Sequence, residues 1–506
     1  MSACQTTKRV PLDEIFSPRS VAVVGVSASK LAFAELVVHS LKVAKFPAIY
    51  PVNPKYQEVL GLRCYPSLLE IPGPVDHVVV NIPAESALAL LDECAAKGVK
   101  SVHFFTAGFG ESGDAERARL EKQMLVKARQ GGFRIIGPNC VGLFVPKSRL
   151  VNHYDVPLEP GPIAFISQSG GHAQNLPSYS RARGLRFSKV VSYGNALDVD
   201  ESELLDYFRD DPETEIVAAY IEGVKDGPRF LGALGRIAAR KPVVLYKGGK
   251  TEAGRRAAHG HTASLTTSVA IFEALCRQVN AIQVDDLEEM IDVLVALRFL
   301  RPLPAGPGVA LIGAGGGPSV LAGDGMEREG LRLPPLDAAV QAELKRNLPV
   351  AGGIFINPID TTNMTDASAI SAAMHILGRV PEIHMLVYHL GFHPIGSWGM
   401  GRFSAKTFLD PAIRAMKGAA EATGKQVLLA LRPPEDLEGM KEFLAAQEAF
   451  VEAGFPVFHS MRGLARSLSR ILGWTRRCAL RDSAAPVGPR RGQAAGGQRG
   501  DSSYRS

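Results

Sequence analysis

Cysteine is scarce and scattered: the six residues at 4, 64, 94, 140, 276 and 478 form no CxxC pair and no metal-type spacing with histidine. A chain this long and this poor in cysteine is not built on a disulfide framework, and no metal is expected. Runs near the ~18 apolar residues of a membrane span are missing. The opening MSACQTTKRVPLDE lacks the apolar stretch of a secretory signal. We therefore expect a cytoplasmic protein with no membrane partner. A basic face is lacking too. The net charge is +6, but residues 475–506 alone hold seven arginines and two aspartates. A basic tail is not a basic binding face, so no nucleic-acid partner is expected. That tail is rich in Gly, Ala, Ser, Arg and Pro with little apolar periodicity, which predicts disorder over 475–506.

What is present is ordinary in bulk and patterned in detail. The 506 residues are 46% hydrophobic and 21% charged, enough for about three domains of a soluble protein. One pattern repeats: a short β-branched run, a Gly/Ser turn, then an amphipathic helical stretch. It begins with SVAVVGVSAS (20–29), HVVVNIPAES (77–86, with Glu85 or Ser86 near a helix cap), VKSVHFFTAGF (99–109) and FRIIGPNCVG (133–142). After VPLEPGP (156–162) it resumes with IAFISQSGG (163–171), FSKVVSYGN (187–195), EIVAAYIEG (215–223) and KPVVLYKGG (241–249). After RPLPAGPG (301–308) it runs through VALIGAGGGPSVLAGDG (309–325), HMLVYHLGF (384–392), QVLLALRPP (426–434) and FPVFHS (455–460). Continuous apolar runs suit strands buried on both faces, and their alternation with helices predicts parallel, doubly wound sheets. The expected fold class is α/β in three doubly wound domains, at 10–150, 160–300 and 306–474, ahead of the disordered tail.

Four segments could carry chemistry. The turn Gly25-Val26-Ser27 follows a strand but is not GxGxxG, and AIYPVNPK (48–55) offers Asn53 and Lys55 where a dinucleotide fold places its ribose-binding acid. This weighs against a dehydrogenase. A lysine there favours an extra phosphate, such as the 3′-phosphate of CoA, although a glycine at a strand end often serves only the turn. SQSGG (167–171) puts Ser167, Ser169, Gly170 and Gly171 at a helix start, where free N–H groups can cradle phosphate. An ordinary N-cap is the competing reading. AAHGHTASL (257–265) sets His259 and His261 among small residues ahead of a helical pattern at 266–275, so a large anion can approach an imidazole. Most loop histidines have no such role, and a metal reading lacks a nearby third ligand. Glu222 in YIEGVKD could fix an imidazole tautomer, or be a solvated loop residue. GAGGGPSV (313–320) resembles a further anion loop, and NPIDTT (357–362) reads as a turn.

Taken in order, VAVVGVS, YPVNPK, NIPA, GPNCVG, SQSGG, SYGNALDVD, YIEG, GHTASL and NPID resemble the α-subunit region of the NDP-forming acyl-CoA synthetase family over about residues 10–470. That family includes the ADP-forming acetyl-CoA synthetases and is related to the α subunit of succinyl-CoA synthetase. The resemblance implies a Rossmann-like CoA-binding domain followed by two flavodoxin-like ligase domains. It implies a phosphoryl group carried by His261, supported by Glu222, with Ser167, Ser169, Gly170 and Gly171 as the phosphate-binding loop. Gly25, Ser27, Asn53, Lys55, Ile82, Pro83, Asn139 and Cys140 match its CoA-pocket segments. Gly260-His261-Thr262-Ala263 departs from the SHTG of many acetate-type relatives and leaves the acyl substrate open. No ATP-grasp pattern is found. The resemblance therefore implies a hetero-oligomer, with a separate ATP-grasp subunit binding ATP/ADP and Mg2+, a small carboxylic acid as substrate, and CoA. The alternatives are a non-catalytic CoA-binding or regulatory protein that keeps the fold, and a CoA-regulated acyltransferase, for which residues 475–506 are too short.

Overall fold

The computed structural model describes residues 9–27, 33–153, 156–262, 268–313, 316–348, 353–360, 366–391 and 405–484, with the backbone alone at 259–262, 316, 391, 405–408, 438 and 482–484. Its core is three sheets. The first joins β1 (Val21–Val24), β2 (Ile49–Val52), β3 (His77–Val80), β4 (Ser101–Phe104) and β5 (Arg134–Ile136) in the order β2-β1-β3-β4-β5, all parallel. β1 and β3 are buried at every position, the two-sided burial that their unbroken valine runs require.

The second sheet holds β6 (Leu143–Phe144), β7 (Pro160–Ser167), β8 (Phe187–Ser192), β9 (Ile216–Ile221), β10 (Val243–Lys247) and β11 (Ile282–Val284), ordered β11-β10-β9-β7-β8-β6. Only β6 runs antiparallel. The third has β12 (Val309–Gly313), β13 (Ile354–Phe355), β14 (Ile359–Asp360), β15 (Met385–Gly391), β16 (Gln426–Arg432) and β17 (Val457–Phe458), ordered β13-β14-β12-β15-β16-β17, with β13 antiparallel. Setting aside the two antiparallel strands, each sheet places its first strand between its second and third. The crossover direction reverses there, so a crevice opens at the strands' C-terminal ends.

Buried ion pairs tie the sheets together. Arg134, at the start of β5, donates to Asp198 at 2.7 Å and to Glu203 at 2.8 Å across the first and second units. Arg183, paired with Asp292 at 2.7 Å inside the second unit, donates to the Val457 carbonyl at 2.8 Å and so joins the second to the third. Among the described residues no helix is long and apolar enough to cross a membrane.

Three expectations need correction. The helix Met461–Ala484 runs ten residues into the segment expected to be disordered from 475. Its arginines find partners there: Arg477 donates to Asn280 Oδ1 at 2.6 Å and Arg481 to the Val279 carbonyl at 3.0 Å. Arg481 thereby caps the end of the helix Val269–Val279, where carbonyls lack intrahelical donors, and Arg477 holds its C-cap residue Asn280 by the side chain. Residues 485–506 lie outside the described residues. The histidine segment is helical rather than a loop through Thr262, in a helix Glu252–Thr262. Ser86 is the N-cap position of the helix Ala87–Lys97, as expected, although its side chain makes no capping bond and it shares a 3-10 turn with Glu85. NPIDTT is a turn only in part: Asn357 and Pro358 lie in the bend between antiparallel β13 and β14, Ile359 and Asp360 form β14, and 361–362 lie outside the described residues. Asn357 pins the bend by accepting from Leu311 N at 3.1 Å and donating to the Val309 carbonyl at 2.7 Å.

Candidate active site

In the first sheet the reversal lies between β1 and β3, and the residues that follow those strands meet there. Gly25 has φ +91°, and a Cβ on it would sit 2.2 Å from the Asn81 carbonyl oxygen, so only glycine lets the two strand ends approach this closely. Asn53 braces this turn, donating to the Val26 carbonyl and accepting from Lys55 N. Thr106, beyond β4, donates to the Ile82 carbonyl at 2.6 Å. His103 Nε2 bonds the Cys140 carbonyl at 2.8 Å. Burial pushes the His103 imidazole down to about 4, so the ring is neutral at physiological pH. These bonds frame a cleft of about 560 Å3 lined by Ile82, Pro83, Phe105, Asn139, Cys140 and Val141, and closed on one side by Gly170 and Gly171.

Gly170 and Gly171 belong to the second sheet. They open the helix Gly170–Ser180, whose N-cap is Ser169, its hydroxyl accepting from His172 N. A Cβ at Gly170 would lie 2.8 Å from Val141 Cγ1; glycine therefore brings the helix N-terminus against the first unit. Ser167 is fully buried and spends its hydroxyl on the Ser169 carbonyl at 2.7 Å.

On the other side of Ser169 lies a second cleft of about 520 Å3, holding Glu222, Tyr220, Tyr246 and Lys247, with Gly254 and Ala258 from the helix Glu252–Thr262. Here the reversal falls between β7 and β9. Glu222, one residue past β9, is not solvated: it is 4% exposed. Tyr220 donates its hydroxyl to Glu222 Oε1 at 3.1 Å. Gln168 Oε1 accepts from Glu222 N at 2.5 Å and Gly223 N at 3.0 Å, and Lys247 Nζ donates to the Glu222 carbonyl at 2.6 Å. His172 packs edge-on to Tyr220 at 4.4 Å, and burial lowers its imidazole while Glu222 opposes the shift.

The structure thus groups Ile82, Pro83, Asn139, Cys140, Gly170 and Gly171 at one cleft, with Gly25 packed against Asn81 and Ile82 of its wall, and Ser169 and Glu222 at the next. Ser27 accompanies the Gly25 turn, its N–H bonded to the Glu35 carboxylate. Lys55 is exposed and lines neither cleft. The side chains of His259 and His261 lie outside the described residues, as do positions 314–315 of the third glycine-rich turn. Among the described residues no cluster could hold a metal ion. Sequence reasoning missed Gln168, Tyr220, Lys247 and His103. Gln168 stood inside the SQSGG motif, and Lys247 stood out as a charge closing an apolar strand.

Glu201, 4% exposed at the start of the helix Glu201–Asp210, is pushed up by burial to about 7. Its proton is held more tightly folded than unfolded. The penalty is absent below the unfolded value near 4.5, grows as pH rises toward 7 and is complete above it. Glu201→Gln should therefore gain up to about 3 kcal/mol of stability at pH 8 over what it gains near pH 4. Urea unfolding at both pH values measures this; equal effects at the two would contradict it.

Known proteins match this arrangement. A CoA binding domain model covers residues 19–146, and a succinyl-CoA ligase like flavodoxin domain model covers 160–297. The alpha subunit of ADP-forming acetate–CoA ligase II from Pyrococcus furiosus is 37% identical, over 74% of this chain and 81% of its own length. ADP-forming acetate–CoA ligase I of Archaeoglobus fulgidus is 35% identical, and the match covers 54% of it; the chain spans about half of that relative. The structure of Ca. Korarchaeum cryptofilum dinucleotide forming acetyl-coenzyme A synthetase 1 in complex with phosphate and ADP superposes with a TM-score of 0.77 at 28% identity, over 94% of this chain and 99% of the other. This chain belongs to the family of the ADP-forming acetate–CoA ligase alpha subunits.

Proposed function

We propose that this chain is the CoA-binding, phosphohistidine-carrying subunit of an NDP-forming acyl-CoA synthetase and works with a separate ATP-grasp subunit that binds ATP/ADP and Mg2+. The net reaction is carboxylate + CoA + ATP to acyl-CoA + ADP + phosphate. One observation carries the reading: the Ser169–Gly171 turn is the wall shared by two clefts, one framed by the CoA-pocket segments and the other holding Glu222. An acyl phosphate seated at that wall meets the CoA thiolate from the first side. The thiolate adds to the carbonyl carbon, the C–O bond to phosphate breaks and phosphate leaves. In the opposite direction phosphate displaces CoA from acyl-CoA, and an imidazole takes the phosphoryl group from the acyl phosphate as the carboxylate departs. N–H groups at the start of the helix Gly170–Ser180 offset charge on the transferring group. In the helix Glu252–Thr262, position 261 follows Gly254, Ala257 and Ala258 at helical spacing and so shares the face that lines Glu222's cleft. Glu222 then holds one imidazole nitrogen and leaves the other free for attack.

Glu222→Gln keeps the shape and removes the charge. The expected result is a phosphoenzyme yield lowered by about tenfold or more, with an unchanged unfolding midpoint. Rapid-quench labelling measures it; labelling at the wild-type rate would remove Glu222 from the mechanism.

A further inference from the structure

We propose that Lys247 is a positioning residue for phosphoryl exchange, fixing Glu222 by gripping its main-chain carbonyl from the floor of the second cleft; this rests on the role given to Glu222 above. Lys247 is the last residue of β10 and pairs in register with Ile221, so its side chain emerges beside the peptide that leads into Glu222. It is 1% exposed. A buried ammonium is costly unless its N–H groups are used. Here Nζ donates to the Glu222 carbonyl at 2.6 Å and to the Gly248 carbonyl at 2.5 Å.

The residue is held at three points. Gln168 takes its N–H, Tyr220 donates to its carboxylate, and Lys247 takes its C=O. Packing alone would not select a cation, since an apolar side chain of similar volume would fill the same space without a desolvation cost. What the cation adds is a field of the right sign for the neighbouring Glu222 carboxylate.

The charged and titratable groups around it belong to one cleft. Glu222 faces it from the neighbouring strand, Lys250 from its own turn, and Tyr220, Tyr246 and Asp285 complete the wall. His172 stands behind the two tyrosines. Among the described residues, the helix Glu252–Thr262 turns Gly254, Ala257 and Ala258 to this space. Burial pushes the Lys247 amine down to about 8, with Glu222 opposing the shift. Below that pH the cation grips the carbonyl; above it the charge and its hold on the carboxylate are lost.

The test is acid-labile labelling of the assembled enzyme by acetyl-CoA and radioactive inorganic phosphate, followed from about pH 6.5 to about pH 9. The wild type should label more slowly above about pH 8. Lys247→Arg, which stays charged throughout, should lack that alkaline fall. Lys247→Met should label about tenfold or more slowly at every pH, with CoA affinity by calorimetry unchanged. Wild-type rates in Lys247→Met, or an alkaline fall surviving in Lys247→Arg, overturn the proposal. If Lys247→Met does not fold, the arginine profile decides alone. A wild-type enzyme that takes no label overturns the phosphohistidine reading, and the role of Lys247 with it. A labelled wild type with unaffected lysine variants overturns only the latter.

Discussion

Replacing His261 with asparagine should reduce acid-labile phosphate incorporation to background and leave CoA affinity where it was. Asparagine keeps a polar side chain of similar reach but has no nucleophilic nitrogen, so transfer to this position stops outright rather than slowing. CoA affinity is the control because the first cleft is walled by Ile82, Pro83, Asn139, Cys140, Gly170 and Gly171, none of which lies on the helix Glu252–Thr262. Labelling with acetyl-CoA and radioactive phosphate, followed by peptide mass spectrometry under neutral conditions, gives the readout. Normal labelling of the variant, or phosphate on His259 in the wild type, sinks the assignment.

Much of this arrangement was legible in the residues. The unbroken runs Val21–Val24 and His77–Val80 announce strands buried on both faces, and the small residues after them announce turns. Parallel sheets follow, and with them a crevice where strand order reverses. What could not be read was which side chains close on one another across that reversal. Gln168 lies 54 residues from Glu222, and Lys247 lies 25 residues beyond it. Their bonds exist only because β7, β9 and β10 are neighbours in the sheet. The same holds for His103 and the Cys140 carbonyl. Composition misled at the C-terminus. Arginine is a good helix former, and Arg477 and Arg481 meet the carbonyl end of another helix, so the chain stays helical through 484. Lys55 is a suitable charge at a suitable place in the sequence, and it is exposed and on neither cleft wall.

Gly25→Ala should weaken CoA binding by about tenfold or more, and the reason can be isolated from backbone strain. Two costs arise at once. Alanine is strained at φ +91°, a cost of order 1–3 kcal/mol. Its Cβ would also lie 2.2 Å from the Asn81 carbonyl oxygen and 2.9 Å from Ile82 Cγ2, so β1 and β3 must move apart where Ile82 and Pro83 wall the cleft. Gly98→Ala separates the two, because Gly98 has φ +71° with nothing within 4 Å of the added atom. That variant should lose stability with CoA affinity intact. An affinity loss of about tenfold corresponds to roughly 1.4 kcal/mol, well within what a displaced cleft wall can cause. Calorimetric titration with CoA on both variants, beside urea unfolding of each, decides the matter. Equal CoA affinities in the two would mean that the crevice between Gly25 and Asn81 does not hold the coenzyme.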